Sequence, residues 1–576
     1  MAQPSIAELF VDTLCEAGVP RVYGVVGDSL NGITEAMRAR GDIDWVHVRH
    51  EEAAAFAAGA ESQLTGRLAV CAGSCGPGNL HLINGLYDAH RSRTPVLAIA
   101  AHIPSAEIGS GYFQETRPEA LFRECSVYCE TVSDPAQMPG VLENAIRAAV
   151  GLRGVAVVVI PGDVALREAP AGAAPSPRRA LLPIPPLVRP HDEELDALAA
   201  LASDAKRITI LAGRGCLGAH AQLVALAGRL QAPIVHALGG KESVEFDNPY
   251  DVGMTGLIGF SSGYHAMKDC DLLLMLGTDF PYRQFYPEKA KVVQLDLRPE
   301  QLGRRTKLEL GLVGDVRTTL DALLPRLAQQ DDRDHLDACL SHYRRSREDL
   351  DKLARPADDG MVHPQQVVYE LSRLAADDAV FTVDVGTPTI WTARYLQMNG
   401  RRRLLGSWVH GSMAGAMPQA IGAQSAFPGR QVIALAGDGG FAMLMGDLLT
   451  LAQQRLPVKV VVFNNGSLGF VEMEMKAAGL LETGVALQNP DFAALAESAG
   501  IRGIRIDAPG QLDAGLRAAL AHDGPVVVDV RVARQELSLP PKVTAEQAKG
   551  FSLYMLKAVI DGRGGELIDL AKTNLR

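Results

Sequence analysis

Gly437-Asp438-Gly439 is followed, after 24 intervening residues, by Asn464-Asn465, and each motif closes a short apolar run. The runs are Gln431 to Ala436 and Val458 to Phe463. Short apolar runs ending in glycine or asparagine predict buried parallel strands, with a helix from Phe441 to Gln454 between these two. Both motifs then lie at strand carboxyl ends, where open α/β sheets bind ligands. Mg²⁺ takes about six hard oxygen ligands with little distortion. The Asp438 carboxylate, the Asn465 amide oxygen and a main-chain carbonyl at Ser467 can supply three, leaving two diphosphate oxygens and a water to complete the shell. Gly437, Gly439 and Gly440 let the backbone approach phosphate, and the helix N-terminus favours an anion. The two motifs read as a clamp for a metal-bound diphosphate.

Three further segments carry chemistry. His50-Glu51-Glu52-Ala-Ala-Ala-Phe-Ala-Ala-Gly59 places an acid where a strand turns into an alanine-rich helix. A carboxylate among alanines is desolvated and suited to exchange a proton with a nitrogen base. Ser74-Cys-Gly-Pro-Gly78 joins a strand to a helix through a tight glycine turn. Gly411-Ser412-Met413 precedes another helix rich in alanine and glycine.

This set resembles the thiamine-diphosphate enzymes, whose fingerprint is GDG, an interval in the mid-twenties, and NN. The resemblance implies that Asp438, Asn465 and Ser467 bind Mg²⁺. It implies that Gly439, Gly440, Gly466, Ser467, Leu468, Gly469, Phe470 and Val471 line the cofactor, with Gly411, Ser412 and Met413 beneath it. Met413 matches the apolar wedge that holds the cofactor's two rings in a V. Glu51 matches the acid that hydrogen-bonds the aminopyrimidine and drives loss of the thiazolium C2 proton.

The middle of the chain is not expected to carry a conventional G-x-G-x-x-G dinucleotide fingerprint. Its segments Gly253 to Gly259, Leu276 to Tyr282 and Gln294 to Asp296 are similar to those by which pyruvate oxidases and acetolactate synthases hold FAD. The implied contacts are Thr255, Gly256, Leu257, Ile258, Thr278, Asp279, Phe280, Pro281, Tyr282 and Asp296. Glu107 to Glu115 resembles the active-site loop of pyruvate-oxidising members, with Phe113 and Gln114 bordering substrate. Asn464 to Glu474 and Lys549 to Met555 are similar to the quinone-reducing pyruvate dehydrogenases of bacteria. That branch implies a lipid-activated homotetramer, peripheral on the inner face of the cell membrane. It converts pyruvate to acetate and CO₂ and passes two electrons through FAD to ubiquinone, with Phe470 between the cofactors. In relatives the thiamine cofactor lies between the first domain of one subunit and the third of its neighbour. The alternatives are acetolactate synthase, a phosphate-dependent oxidase making acetyl phosphate, and a cofactor-binding scaffold without activity.

These motifs need three α/β units to position them. At 576 residues the chain exceeds one core. Doubly wound parallel α/β domains are expected over 1–168 (pyrimidine-binding), 193–328 (FAD-binding) and 359–533 (diphosphate-binding). A stiff, exposed, proline-rich linker fills 169–192, and a charged helical connector 329–358. No repeat is visible in the sequence. A net charge of −11 argues against nucleic acid as a partner. The eight cysteines read as reduced, mostly buried thiols, and neither a signal peptide nor a membrane span is expected.

Residues 534–576 read as a membrane-binding tail. Thr544-Ala-Glu-Gln547 predicts a capping box, after which Ala548, Phe551, Tyr554, Met555, Ala558 and Val559 are expected on one helical face. Gly562 to Gly565 should break that helix, and Leu567, Ile568, Ala571 and Leu575 then recur at helical spacing. From Lys542 onward six Lys or Arg face four Asp or Glu, so the tail favours an anionic phospholipid surface. Lys542, Lys549, Lys557 and Phe551 are the expected anchors, since no tryptophan follows Trp408.

Overall fold

The computed structural model describes residues 3–574 except 358, 539 and 543. Three six-stranded parallel sheets follow one another along the chain. The first holds β1 (Arg21–Gly24), β2 (Asp44–His47), β3 (Ala69–Gly73), β4 (Val96–His102), β5 (Tyr128–Thr131) and β6 (Val155–Pro161). The second holds β7 (Ile208–Ala212), β8 (Ile234–His236), β9 (Asp251–Met254), β10 (Leu272–Leu276), β11 (Lys291–Asp296) and β12 (Leu310–Val313). The third holds β13 (Val380–Val383), β14 (Arg403–Gly406), β15 (Val432–Gly437), β16 (Lys459–Asn464), β17 (Arg502–Ile506) and β18 (Val526–Arg531).

The first sheet runs β2-β1-β3-β4-β6-β5 and the third β14-β13-β15-β16-β18-β17, which is the same wiring. The repeat absent from the sequence is therefore present in topology. The middle sheet, β9-β8-β7-β10-β11-β12, has the strand order of dinucleotide-binding sheets, with its reversal between β7 and β10. Central strands such as Val155–Pro161 are buried along their whole length because helices cover both faces. Apolar runs reveal such strands. They do not reveal the edges β5, β9 and β12, which are short and carry polar residues or glycine.

The alanine helix Glu51–Thr65 is buried at twelve of its fifteen residues, so it is a core helix with no solvent face. Helices Pro77–Arg91 and Ala416–Ala426 pack on either side of it through glycines. A Cβ on Gly85 would lie 2.6 Å from Ala55 Cβ, and one on Gly422 would overlap the Ala57 carbonyl oxygen. One apolar core consequently joins the first and third domains, from Ala53–Ala60 through Ala416–Ala423 to β15 and β16.

The linker is only partly exposed, contrary to expectation. Its short helix Arg178–Leu181 buries Leu181 in the core of the first domain, while Ile184 and Leu187 face solvent. The connector contains the helix Asp334–Leu353, which buries only Leu336 and Cys339. All eight cysteines are free, and six are buried.

In the tail the capping box at Thr544 forms, and the helix runs Ala545–Ile560. Its expected face splits. Tyr554 and Ala558 dock on the helix Gly469–Ala477, whereas Ala548, Met555 and Val559 are exposed with Leu553, Leu556 and Ile560. Gly550 lies against the Ala477 carbonyl, and this close approach selects the docked side. The second helix starts inside the expected break, at Gly564, and runs to Asn574. It buries Leu570 and exposes Ile568, while Leu575 lies outside the described residues. No helix among the described residues is long and apolar enough to cross a membrane.

Candidate functional site

β13, β15 and β16 are neighbours, so their carboxyl ends open side by side. Asp438, 2% exposed, follows β15. Its Oδ1 accepts from Gly439 N (2.9 Å), and its Oδ2 from Gly466 N (2.7 Å) and Asn489 Nδ2 (2.8 Å). Burial raises its pKa and these donors oppose the rise. Asn465 Oδ1 accepts from Ser467 N at 3.0 Å. Asn464 instead points into the sheet, bonding Asp529 and Asn489, so only the second asparagine faces the site. Asp438, Asn465 and the Ser467 carbonyl are hard oxygens drawn together through Gly466, a donor set that fits Mg²⁺.

A Cβ on Gly439 would meet Leu468 at 2.7 Å, Leu487 at 3.3 Å and Met413 at 3.5 Å. These three side chains, Met413 among them, form an apolar roof over the glycine. The expected helix from Phe441 instead starts at Asp438, ends at Leu444, and resumes over Leu448–Gln453. Glycines 439 and 440 therefore belong to a helical first turn.

The sequence reading missed Asp384, Gly386, Thr387, Leu487 and Asn489. Gly386 (φ 143°) turns β13 into the helix Thr387–Tyr395, and Thr387 lies 3.2 Å from a Cβ placed on Gly469. The signal was a second strand ending in Asp384-Val-Gly386. Asp384 is fully buried, and burial pushes its carboxyl up to about 7. Its Oδ1 accepts from Ala416 N (2.9 Å), whereas Oδ2 has no hydrogen-bond partner among the described residues and faces Gly440. Leu487 and Asn489 lie in an irregular segment that pairs with the Gly466–Leu468 turn. No pattern announces them.

The first domain supplies the second half. Glu51 opens the alanine helix and is 7% exposed. His50 caps that helix, its Nδ1 accepting from Glu52 N at 3.2 Å. His81 Nδ1 lies in hydrogen-bond contact with Glu51 Oε2 at 2.8 Å, and the His81 ring stacks on His50 at 4.3 Å. His50, Glu51 and His81 are close enough to share a metal ion, but the cap already occupies His50 Nδ1. Gly76 (φ 66°) begins the helix Pro77–Arg91, and Gln114 packs on that turn, where Cys75 Sγ donates to its Oε1 at 3.2 Å. Gln114 itself has φ 63°. Glu115 accepts from Gly109, Gly111 and Tyr112, which hold its carboxyl below the ordinary range and fix the loop. The structure thus brings Gln114 to the turn and leaves Phe113 projecting, 78% exposed.

Gly411 and Ser412 sit on the seam between the first and third domains. Asn84 Nδ2 donates to Ser412 Oγ (2.9 Å) and Glu52 Oε1 (2.7 Å). Among the described residues no hydrogen bond joins Glu51 to Asp438; they stand on two domains that share one apolar core.

In the middle domain one expectation fails outright. Gly213-Arg214-Gly215-Cys216-Leu217-Gly218 is a G-x-G-x-x-G, placed between β7 and the helix His220–Leu230, and the sequence reading passed over it. Gly215 N donates to Gly277 O at 2.9 Å, so the turns after β7 and β10 meet backbone to backbone at the strand reversal. Thr278 and Phe280 are buried beside it, Tyr282 lies edge-on to Phe280, and Asp279 pairs with Arg305 (3.1 Å). Gly256 (φ 107°) packs on Phe280, and Ile258 O accepts from Arg394 of the third domain at 3.0 Å. Asp296, buried at the end of β11, accepts from Arg298 N at 3.0 Å, and burial raises its pKa. The buried Thr255 Oγ1 has no hydrogen-bond partner among the described residues. An unpaired buried polar atom just past the carboxyl end of β9, in a sheet with dinucleotide-binding strand order, fits a bound FAD.

Phe470 is half-buried and packs on the core of the third domain, the cluster on which Ile258 of the middle domain also rests. Behind it Ser467 Oγ bonds Glu472, Glu472 pairs with Lys476 (2.8 Å), and Lys476 pairs with Glu482 (3.0 Å). Tyr554 and Arg563 of the tail both reach Glu482.

Three family models cover the three sheets. Residues 4–121 match the thiamine pyrophosphate enzyme N-terminal TPP binding domain, 195–323 the central domain, and 384–530 the C-terminal TPP binding domain. The chain belongs to the thiamine pyrophosphate enzyme family. Within that family it is 40% identical over 578 residues to YdaP of Bacillus subtilis, a protein named for thiamine pyrophosphate, covering 100% of this chain and 99% of that one. It is 32% identical over 523 residues to a pyruvate oxidase of Lactiplantibacillus plantarum (89% and 86%). It is also 32% identical over 558 residues to an acetolactate synthase large subunit of Parasynechococcus marenigrum (93% and 88%).

Proposed function

We propose that this family member is a peripheral flavoenzyme that oxidatively decarboxylates pyruvate to acetate and CO₂, delivering two electrons to a membrane quinone, ubiquinone. Thiamine diphosphate, when bound, supplies a carbon nucleophile and an electron sink, and FAD accepts the electron pair. Asp438, Asn465 and the Ser467 carbonyl would hold Mg²⁺, and the turns at Gly386-Thr387 and Gly437–Gly440 would cradle the diphosphate. Glu51 would exchange a proton with the cofactor's pyrimidine nitrogen, and Met413, Leu468 and Leu487 would hold the rings. Gln114 and Phe113 border the keto acid. The turns after β7 and β10, with Thr255 and Asp296, would hold FAD, and the family resemblance would place Phe470 between the two cofactors. The family resemblance supports a homotetramer in which neighbouring copies complete each site.

The observation that carries the acceptor assignment is the tail. Leu553, Leu556, Val559, Ile560 and Ile568 form an exposed apolar face on two short helices. Such a face suits a helix lying in the membrane interface. Lys557 donates to Gly479 O and Lys542 lies over the Tyr264 ring, so contact with an anionic leaflet on the inner side of the membrane would start from Lys549 and the aliphatic face. An acetolactate synthase, the reading favoured by the third relative's name, has no use for that face.

Product analysis tests this reading. Pyruvate with a soluble acceptor should yield acetate with or without phosphate; acetolactate, or acetyl phosphate formed only with phosphate, would overturn it. Deleting residues 544–576 should spare that reaction and abolish lipid stimulation and quinone turnover. Unchanged vesicle binding by the truncated protein would remove the tail from the account.

A further inference from the structure

The two oxygens of Glu51 have different surroundings. A Cβ on Gly78 would lie 3.1 Å from Oε1, so the glycine keeps that side open, and no hydrogen bond from a described residue falls on it. Oε2 is held by His81 Nδ1 at 2.8 Å. Glu51 is nearly closed off from water, whereas the His81 side chain is 44% exposed. The His81 ring lies nearly parallel to His50 at 23°, and the helix cap fixes His50 in turn. A buried acid that cycles protons is thus connected to the surface through one immobilised imidazole.

We propose that His81 is the proton relay between Glu51 and solvent, working through Oε2 while Oε1 serves the cofactor. Because Glu51 offers an oxygen acceptor, His81 carries its hydrogen on Nδ1. On proton uptake the Nδ1–H bond breaks as Oε2–H forms. A solvent acid gives its proton to Nε2 and leaves as its conjugate base. The imidazole ends neutral, in the other tautomer. Proton release runs the same steps backwards and restores the first tautomer, so the stacked ring never has to flip.

The test uses the holoenzyme without pyruvate, and so depends on the thiamine cofactor alone and not on the proposed substrate or acceptor. His81→Asn keeps an N–H donor toward Glu51 but cannot pass a proton through. Deuterium exchange at the cofactor's acidic carbon should slow at least tenfold in His81→Asn, while its affinity for thiamine diphosphate and Mg²⁺, read by titration, stays within about threefold. Added imidazole should restore exchange in His81→Gly. In the cofactor-free protein, ¹⁵N-histidine spectra assigned by loss of a signal in His81→Asn should show the Nδ1–H tautomer. Exchange at the wild-type rate in His81→Asn, a matching loss of affinity, absence of imidazole rescue, or an Nε2–H tautomer would each overturn the relay.

Discussion

Gly78→Ala separates the chemistry of Glu51 from the stability of its domain. The added methyl would sit 3.1 Å from Glu51 Oε1 and 2.7 Å from Ser74 Oγ. The serine hydroxyl can rotate away, but Glu51 is held by His81 and cannot. The methyl therefore crowds the oxygen reserved for the cofactor. A hydrogen bond to a charged group contributes about 1.5–3 kcal/mol, so kcat/KM for pyruvate should fall about 10- to 150-fold. Gly78 lies in the first turn of a helix, where alanine is favoured over glycine by up to ~1 kcal/mol, so the fold should not suffer. The assay pairs steady-state kinetics with a soluble acceptor and a thermal melt of the cofactor-free protein. A large loss of kcat/KM with Tm equal to or above wild type supports the assignment of Oε1. Undiminished kcat/KM, or a loss that only follows a fall in Tm, would refute it.

Asp384 gives a pH signature. An acid raised to about 7 by burial keeps its proton in the folded chain while the unfolded chain has lost it above about pH 4, so stability falls as pH rises through that window. Asp384→Asn keeps the bond from Ala416 and removes a penalty on the order of 4 kcal/mol. The cofactor-free variant should melt above wild type at pH 8 and with it at pH 4, and an equal offset at both pH values would contradict this. Gly422→Ala should do the opposite of Gly78→Ala. Its methyl meets a backbone oxygen of the alanine helix, which cannot move locally, so about 1–3 kcal/mol or more of stability is lost along with thiamine diphosphate affinity. Gly429→Ala, which meets nothing within 4 Å, is the control, and equal melts for the two variants would exclude the close helix contact.

The sequence revealed the parts of the site whose chemistry needs rare residue patterns. Asp438 and Asn465 close apolar strands, and Glu51 stands before alanines, patterns that the proposed metal-bound diphosphate and buried acid would each require. Met413 was located by resemblance and stands over Gly439. Leu487 and Asn489 were illegible because they come from an irregular segment that tertiary pairing brings in. Gly213 to Gly218 was legible and was missed, as was Asp384-Val-Gly386 on the strand beside the clamp. The tail shows the limit of periodicity. It predicted a helix correctly but not which apolar residues would dock, since Gly550 against Ala477 decides that.

In the proposed function electrons leave pyruvate, cross from the thiamine site to a flavin, and end on a quinone in lipid. The most direct measurement is the absorbance of the flavin-loaded protein under anaerobic conditions, first with pyruvate and then with ubiquinone in phospholipid vesicles. The flavin should bleach with pyruvate and recover with quinone-bearing vesicles, and recovery should fail when residues 544–576 are missing. A flavin that stays oxidised with pyruvate, or one that bleaches and is reoxidised by oxygen but not by quinone, would contradict the account.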